Sequence, residues 1–422
     1  MNNRDRAYLK IFTALTFTLI LILAAGLPAG ASGGASPAVT EAPEVRVVID
    51  GVQGTYTDVA IKINDRVLLP FREVLAKLGI PNDDEHIIWN LEEESVTVID
   101  GNNVIRLVVG DRVMSVNGVE TEYDVAPFFY HANNRTYVPV RAVSELLDKH
   151  IMWEEASTTV YIREKENYAQ TLDVLNRLQA LDEVTKVQSE TEGRINITIT
   201  TDSLAIPGAG ADGALRLTMD MSQLIMADID NNTYHIKQYI DMDGINIGSE
   251  VFMHGDRVFM KIEGPTLEWH DITDQGMYDV GSLLDQINVM ESQMNVREPI
   301  DVAMGLALVR GSDGTFTLVG EPISITDVNS ILNDVSDLLP QGAGSSADIY
   351  IDKFHIATTF AADLTPIRAT MFTDMNFSVK QETEAGNSIT VYFNMAMALN
   401  INYTDVGPRF TVPIPEGVAA LL

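Results

Sequence analysis

Between Val391 and Ile401 the chain alternates without a break. Val391, Phe393, Met395, Met397, Leu399 and Ile401 are apolar, and Tyr392, Asn394, Ala396, Ala398 and Asn400 lie between them. Side chains of a strand point to opposite faces with a period of two, whereas a helix repeats at 3.6. The run therefore predicts a long antiparallel strand with one apolar face. The same alternation places Ile195, Ile197 and Ile199 against Asn196, Thr198 and Thr200, and Leu215, Leu217, Met219 and Met221 against Arg216, Thr218 and Asp220. Further strands are expected near 233–241, 250–262, 314–320, 347–360 and 368–380. A short polar connector over 164–170 precedes a predicted helix, Thr171–Val184, with Leu172, Leu175, Leu178, Leu181 and Val184 on one side. Helical stretches are expected at about 280–295 and 325–339.

The first part of the chain contains a repeat. Arg66-Val-Leu-Leu-Pro70-Phe-Arg72 is followed by Ile88-Trp89 and Ser95-Val-Thr-Val98. Arg135-Thr-Tyr-Val-Pro139-Val-Arg141 is followed by Met152-Trp153 and Thr159-Val-Tyr-Ile162. Each unit opens with a short strand that ends at Pro, whose fixed φ and missing N–H suit the start of a helix. Apolar residues then recur at helical spacing: Phe71, Val74, Leu75 and Leu78, or Val140, Val143, Leu146 and Leu147. Gly79 is placed to stop the first helix. Between the copies, Val104–Val109 and Arg112–Val116 with Asn117-Gly118 predict hairpin strands. Because they occur twice, Pro70, Arg72, Trp89, Pro139, Arg141 and Trp153 are structural candidates. The arginines would pin their helices to nearby acceptors, and the tryptophans would anchor the core.

This pattern, over residues 45–163, resembles the copper amine oxidase N-terminal domain, also called the stalk domain, of bacterial surface proteins. In the enzymes that gave the name, copper and the quinone cofactor belong to a separate catalytic domain. The resemblance thus implies an α+β spacer or interaction module with no oxidase activity. Residues 168–422 resemble the LolA/LppX-type lipoprotein-carrier fold. The signals are the Leu-rich opening helix, Asp256-Arg-Val-Phe-Met-Lys261 followed by Trp269-His270-Asp271, Asp363-Leu-Thr-Pro366-Ile-Arg-Ala369, and the closing Phe410-Thr-Val-Pro-Ile-Pro415. That resemblance implies a curved half-barrel sheet with covering helices and a concave face able to hold a lipid or other hydrophobic ligand. Relatives of that kind carry a lipobox cysteine, and this chain has none. Leu215, Leu217, Met219, Met221, Phe393, Met395, Met397 and Leu399 are the candidate ligand face. Methionine suits adaptable apolar surfaces, although the same rows would also fill a packed core.

The N-terminus carries Arg4 to Lys10, an apolar run from Ile11 to Leu27, then Pro28 and Ala29-Gly30-Ala31. Positive flank, apolar core and small-x-small site predict a secretory signal peptide over 1–31, cleaved after Ala31, with an uncleaved anchor as the alternative. Residues 32–44, rich in Gly, Ser, Ala and Pro, predict a flexible leader. The absence of cysteine excludes disulfides, thiolate metal sites, cysteine nucleophiles and a lipid-modified cysteine. An exported protein without disulfides fits a Gram-positive cell envelope. The net charge of −32 is carried by both folded parts, and it repels phosphate backbones and anionic headgroups.

Seven histidines occur without His-x-His or His-Glu-x-x-His spacing, and there is no Gly-x-Ser-x-Gly elbow or phosphate-binding loop. Asp241-x-Asp243-Gly-x-Asn246-x-x-x-Glu250 departs from the EF-hand spacing and reads as a hairpin turn. No metal, cofactor or catalytic residue is assigned. The expected fold is α+β: a repeat-containing stalk, then a mostly antiparallel half-barrel. The expected function is a non-catalytic, exported or envelope protein that binds a hydrophobic ligand. The alternative is a structural or adhesive protein with a packed β domain and a cell-wall or envelope protein partner. Nucleic acid is not an expected partner, and membrane contact would come only through a retained signal.

Overall fold

The computed structural model describes residues 39–155, 158–180, 185–202, 208–262, 268–273, 299–321, 345–382 and 388–422. The expected signal peptide, its cleavage site and the helices expected at 280–295 and 325–339 lie outside the described residues.

The first module runs β1 (Thr40–Glu41), β2 (Arg46–Ile49), β3 (Val52–Gln53), β4 (Ile61–Ile63), β5 (Arg66–Pro70), α1 (Phe71–Lys77), β6 (Ile87–Asn90), β7 (Ser95–Asp100), β8 (Asn103–Val108), β9 (Val113–Val116), β10 (Val119–Glu122), β11 (Phe128–Tyr130), β12 (Arg135–Pro139), α2 (Val140–Leu146), β13 (Lys149–Glu154) and β14 (Thr159–Glu164). Both repeat prolines stand immediately before their helices, with φ −56° at Pro70 and −59° at Pro139. The equivalent strands β5 and β12 pair antiparallel with Leu69 opposite Val138, residues that hold the same place in the two units. The repeats therefore meet about a local two-fold relationship. Three small sheets result, β1-β4-β5-β12-β11, β10-β9-β8-β7-β6 and β13-β14-β2-β3. Their apolar faces and the buried sides of α1 and α2 share one core, which includes Leu69, Val74, Leu75, Val138, Val143 and Ile162. Asn117 (φ 51°) and Gly118 (φ 82°) make the expected turn between β9 and β10. The leader expected over 32–44 ends earlier. Thr40 and Glu41 pair with Lys62 and Ile61, and Ala42 is buried, so backbone pairing fixes this segment.

The second part comprises α3 (Lys165–Ala180), β15 (Lys186–Thr201), β16 (Leu215–Asp228), β17 (Thr233–Met242), β18 (Ile245–His254), β19 (Arg257–Ile262), β20 (His270–Asp271), α4 (Pro299–Gly305), β21 (Leu306–Arg310), β22 (Phe316–Gly320), β23 (Ser345–Phe360), β24 (Pro366–Glu382) and β25 (Ser388–Val406). Eleven strands form one curled, half-barrel sheet in the order β20-β19-β18-β17-β16-β15-β25-β24-β23-β22-β21. The chain is mostly β, and the described helices of this part, α3 and α4, cover one end of the sheet. There Val174, Leu175 and Leu178 pack with Leu306, Leu308, Phe316 and Leu318.

Two expectations are corrected. No polar connector separates the modules: β14 ends at Glu164 and α3 begins at Lys165. The buried stripe of α3 already starts at Tyr168 and Thr171; Glu164, Lys165 and Glu166 are exposed, whereas Asn167 turns inward and bonds the backbone of Leu308. The single strand expected over 250–262 is a hairpin, because Gly255 at φ 63° turns the chain between His254 and Arg257.

Candidate functional site

β15 lies between β16 and β25, and the ladder brings all eight candidate residues onto one face. Met219, Ile195 and Met397 form one row. Leu217, Ile197 and Met395 form the next, and Leu215, Ile199 and Phe393 the third. In the fourth row Gly193 stands between Met221 and Leu399, and Leu399 leans over it, so that a Cβ there would collide with Leu399 Cδ2. Met221, Met395, Met397 and Leu399 are buried, while Leu215, Leu217, Met219 and Phe393 are half-buried. β24 adds Met371 opposite Leu399 and Met375 opposite Met395. Those two, and the space held by Gly193, were not singled out from the sequence. A glycine inside an alternating strand is the signal that could have found the latter.

The face continues across β17 and β18. Met219 is opposite Met242, which is opposite Ile245; Met221 is opposite Ile240, which is opposite Ile247. Ile245 is 61% exposed and Ile247 45%, and Ile262 on β19 is 52% exposed. A buried methionine floor thus runs without a break into an open apolar flank. Exposed apolar surface of this kind is unfavourable in water and marks binding surfaces more often than inert ones.

The opposite face is polar around Arg194 and Asp220. Arg194 donates to Asp220 twice, at 2.6 and 2.8 Å, and the guanidinium holds the Asp220 carboxyl below its ordinary range. An open groove of about 450 Å³ passes between this pair, Glu192, Tyr239 and Asp241. A second groove, of about 300 Å³, adjoins Glu190, Lys237 and Glu250. Farther along β17, His235 is 4% exposed. Its Nε2 lies 3.2 Å from Glu250 Oε2, and its ring meets Phe252 and Trp269. Burial pushes the imidazole pKa down, against the opposing hydrogen bond to Glu250. The C-terminal segment closes this end, with Val418 packed on Phe252 and Phe259. Asp241 Oδ1 accepts from the Gly244 N–H at 2.8 Å within the β17–β18 turn, which is the hairpin expected there. Among the described residues no three His, Asp or Glu side chains gather to hold a metal.

The repeat residues separate. Arg72 donates from Nη1 to Asn82 Oδ1 at 3.0 Å and lies 3.8 Å from Asp84, joining α1 to the following loop. Arg141 is exposed. Trp153 packs partly against the core, and its Nε1 donates to Glu155 at 2.5 Å. Trp89 is corrected from core anchor to surface residue. It is 40% exposed although it shares the face of the buried Ile87 and stands opposite Val96, because it lies near the end of the short strand β6.

The family model for the copper amine oxidase N-terminal domain matches residues 48–162. No curated protein matches the chain. Among solved structures, a β-barrel-like protein of a domain of unknown function from Brucella abortus aligns at 10% identity and TM-score 0.20, covering 53% of this chain and 100% of that one. The ywiB protein from Bacillus subtilis aligns at 7% identity and TM-score 0.13, covering 51% and 94%. The outer membrane protein OprG from Pseudomonas aeruginosa aligns at 7% and TM-score 0.12, covering 52% and 96%. Likeness at these scores carries nothing further for this chain.

Proposed function

We propose that this is a non-catalytic, exported or cell-envelope protein in which a stalk module carries a half-barrel that takes up a hydrophobic ligand, an arrangement similar to LolA/LppX-type lipoprotein carriers. One observation carries the proposal: the methionine-rich floor at Met221, Met395 and Met397 is continuous with the exposed Ile245 and Ile247. The flank gives an acyl chain a way onto the face, and flexible thioethers let the floor adapt to it.

The test is organic extraction and native mass spectrometry of the full chain purified from a bacterial host. A lipid at near-stoichiometric amount, lost in an Ile247→Glu variant that remains folded, is the expected result. A clean apo mass with no uptake of added lipid would sink it. That outcome would leave the second reading, a structural or adhesive module, which the low exposure of Met371, Met395, Met397 and Leu399 favours. In that case the partner would meet the polar face.

A further inference from the structure

Apart from Thr373, which stands opposite Met397, the methionine floor ends at a polar row. Thr191 on β15 is opposite Gln223 on β16. Gln223 is opposite Gln238 on β17, which is opposite Ser249 on β18. Alternation puts all four on the side of Met221 and Ile195, one row below Gly193. The row forms a belt across four adjacent strands. On one side of it lies the methionine floor, and on the other a second apolar cluster containing Val187, Ile225 and Ala227.

The buried end of this belt lacks hydrogen-bond partners. Thr191 is 1% exposed and Gln223 4%, and neither Thr191 Oγ1 nor Gln223 Oε1 has a partner among the described residues. Ser189, the next residue of β15 on the same face, is fully buried and its Oγ is also unpartnered. Polar atoms buried in folded proteins are paired nearly always, because leaving one unpaired forfeits its hydration without return. Three such oxygens on neighbouring positions of one buried face are a site waiting for donors and acceptors from elsewhere. The belt carries hydroxyls and amides and no charge, so an ionic headgroup would lose its hydration there with no counter-charge to meet. The other end is accessible: Gln238 and Ser249 are half-buried, and Ser249 is opposite the exposed Ile262 on the open flank.

We propose that the ligand is an uncharged amphiphile, its hydrocarbon chain on the methionine floor and its hydroxyl- or amide-bearing head on the Thr191–Gln223 belt. This rests on the hydrophobic-ligand function proposed above and specifies its chemistry. The hydroxyls of Ser189 and Thr191 donate to or accept from the head, and Gln223 Oε1 accepts from it.

The test compares binding of monooleoylglycerol, oleate and 1-octadecene to the full chain, with the same series on Gln223→Leu and Thr191→Val. Monooleoylglycerol is expected to bind about tenfold more tightly than either competitor, the factor that one or two newly satisfied hydrogen bonds supply. Both variants should lose that preference while still binding octadecene. Thr191→Val is nearly isosteric and guards against a folding defect in the other variant. Equal binding of the three probes, or a preference that survives in both variants, would overturn the headgroup assignment and leave the hydrophobic-ligand function standing. So would a stabilised Gln223→Leu with unchanged selectivity, which would mean the belt holds only buried water. Failure of all three probes to bind would overturn the function and this inference together.

Discussion

Gly51 of the first module and Gly320 of the large sheet lie backbone against backbone: a Cβ added at Gly320 would stand 2.8 Å from Gly51 Cα. The reverse holds too, since a Cβ on Gly51 would come 2.7 Å from the Val319 carbonyl oxygen. Beside this contact Arg46 reaches Glu321 at 2.7 Å with both side chains largely buried. The stalk is therefore seated on the edge of the half-barrel rather than tethered to it. Gly320→Ala is expected to cost about 3 kcal/mol, because the obstructing atoms are backbone and φ is 149° there. Urea unfolding followed by single-tryptophan variants retaining Trp153 or Trp269 checks this. The two probes should report one coincident transition in the parent and two in Gly320→Ala.

Arg163 is the second bond between the modules. Its side chain is fully buried, and it donates to Asp50 at 3.2 Å, to the Ala303 carbonyl at 2.5 Å and to Asn167 Oδ1 at 2.5 Å. Asn167 in turn pairs with both backbone groups of Leu308 and so covers part of the exposed edge of β21. Removing the guanidinium leaves the Ala303 carbonyl without this buried donor and leaves Asp50 half-exposed. Arg163→Met should therefore cost about 2–4 kcal/mol, less than a fully buried pair would lose. The urea midpoint measures it, and Asp50→Asn should cost less than Arg163→Met.

The period of the strands was legible because it follows from backbone geometry alone. Val391 to Ile401 states its two faces residue by residue, and the ladder through Ile195 and Ile197 follows once β15 is placed between β16 and β25. The repeat was legible for a similar reason, since Pro70 and Pro139 act locally. Seating of the modules was not legible. Arg163 and Ala303 are 140 positions apart, Gly51 and Gly320 farther still, and nothing near any of them announces a partner. Trp89 shares a face with the buried Ile87 and stands opposite the buried Val96, yet it is 40% exposed near the end of its short strand, and hydrophobicity alone does not say how far along a strand the core extends. The polar belt was equally hidden. Thr191 and Gln223 look like ordinary strand residues until the register shows that they share the buried face.

Acid should weaken the fold through its buried histidines. Burial lowers the pKa of His235 below the ordinary 6.5, partly offset by Glu250, while Lys237 opposes a second positive charge. His355 is lowered by burial as well. The unfolded chain keeps the ordinary value, so below 6.5 it takes up protons that these histidines refuse, and stability falls as pH falls through that point. Above it the contribution is constant. Glu250 has the opposite origin but the same consequence at lower pH. Burial raises its carboxyl, yet the hydrogen bond from His235 and the charges of Lys237 and Lys261 bring it below its ordinary 4.5, and the stability it lends disappears only in the carboxylate range. Urea midpoints between about pH 5 and about pH 7.5 isolate the histidines. His235→Gln should give a shallower acid slope than the parent, and an unchanged slope would remove His235 from the account.

Gly193 and Leu399 offer a direct measure of how tightly the methionine floor is packed. Leu399 occupies the volume that any side chain at position 193 would need, and the Ala398 carbonyl oxygen would stand 3.0 Å from a Cβ there. Gly193→Ala is expected to cost about 1–3 kcal/mol by forcing Leu399 off its rotamer. Leu399→Ala alone should cost about 2–4 kcal/mol through the cavity it opens. In the double variant the new methyl enters that cavity, so the two losses should fall short of additivity by about 1 kcal/mol. Strict additivity would mean that Leu399 moves aside freely, and hence that the floor is loose enough to admit a chain without rearrangement. A large coupling would mean that ligand entry requires the floor to repack, and uptake should then be slower in the parent than in Leu399→Ala. Stopped-flow binding of a fluorescent monoacylglycerol, run on the same variants, reads that difference.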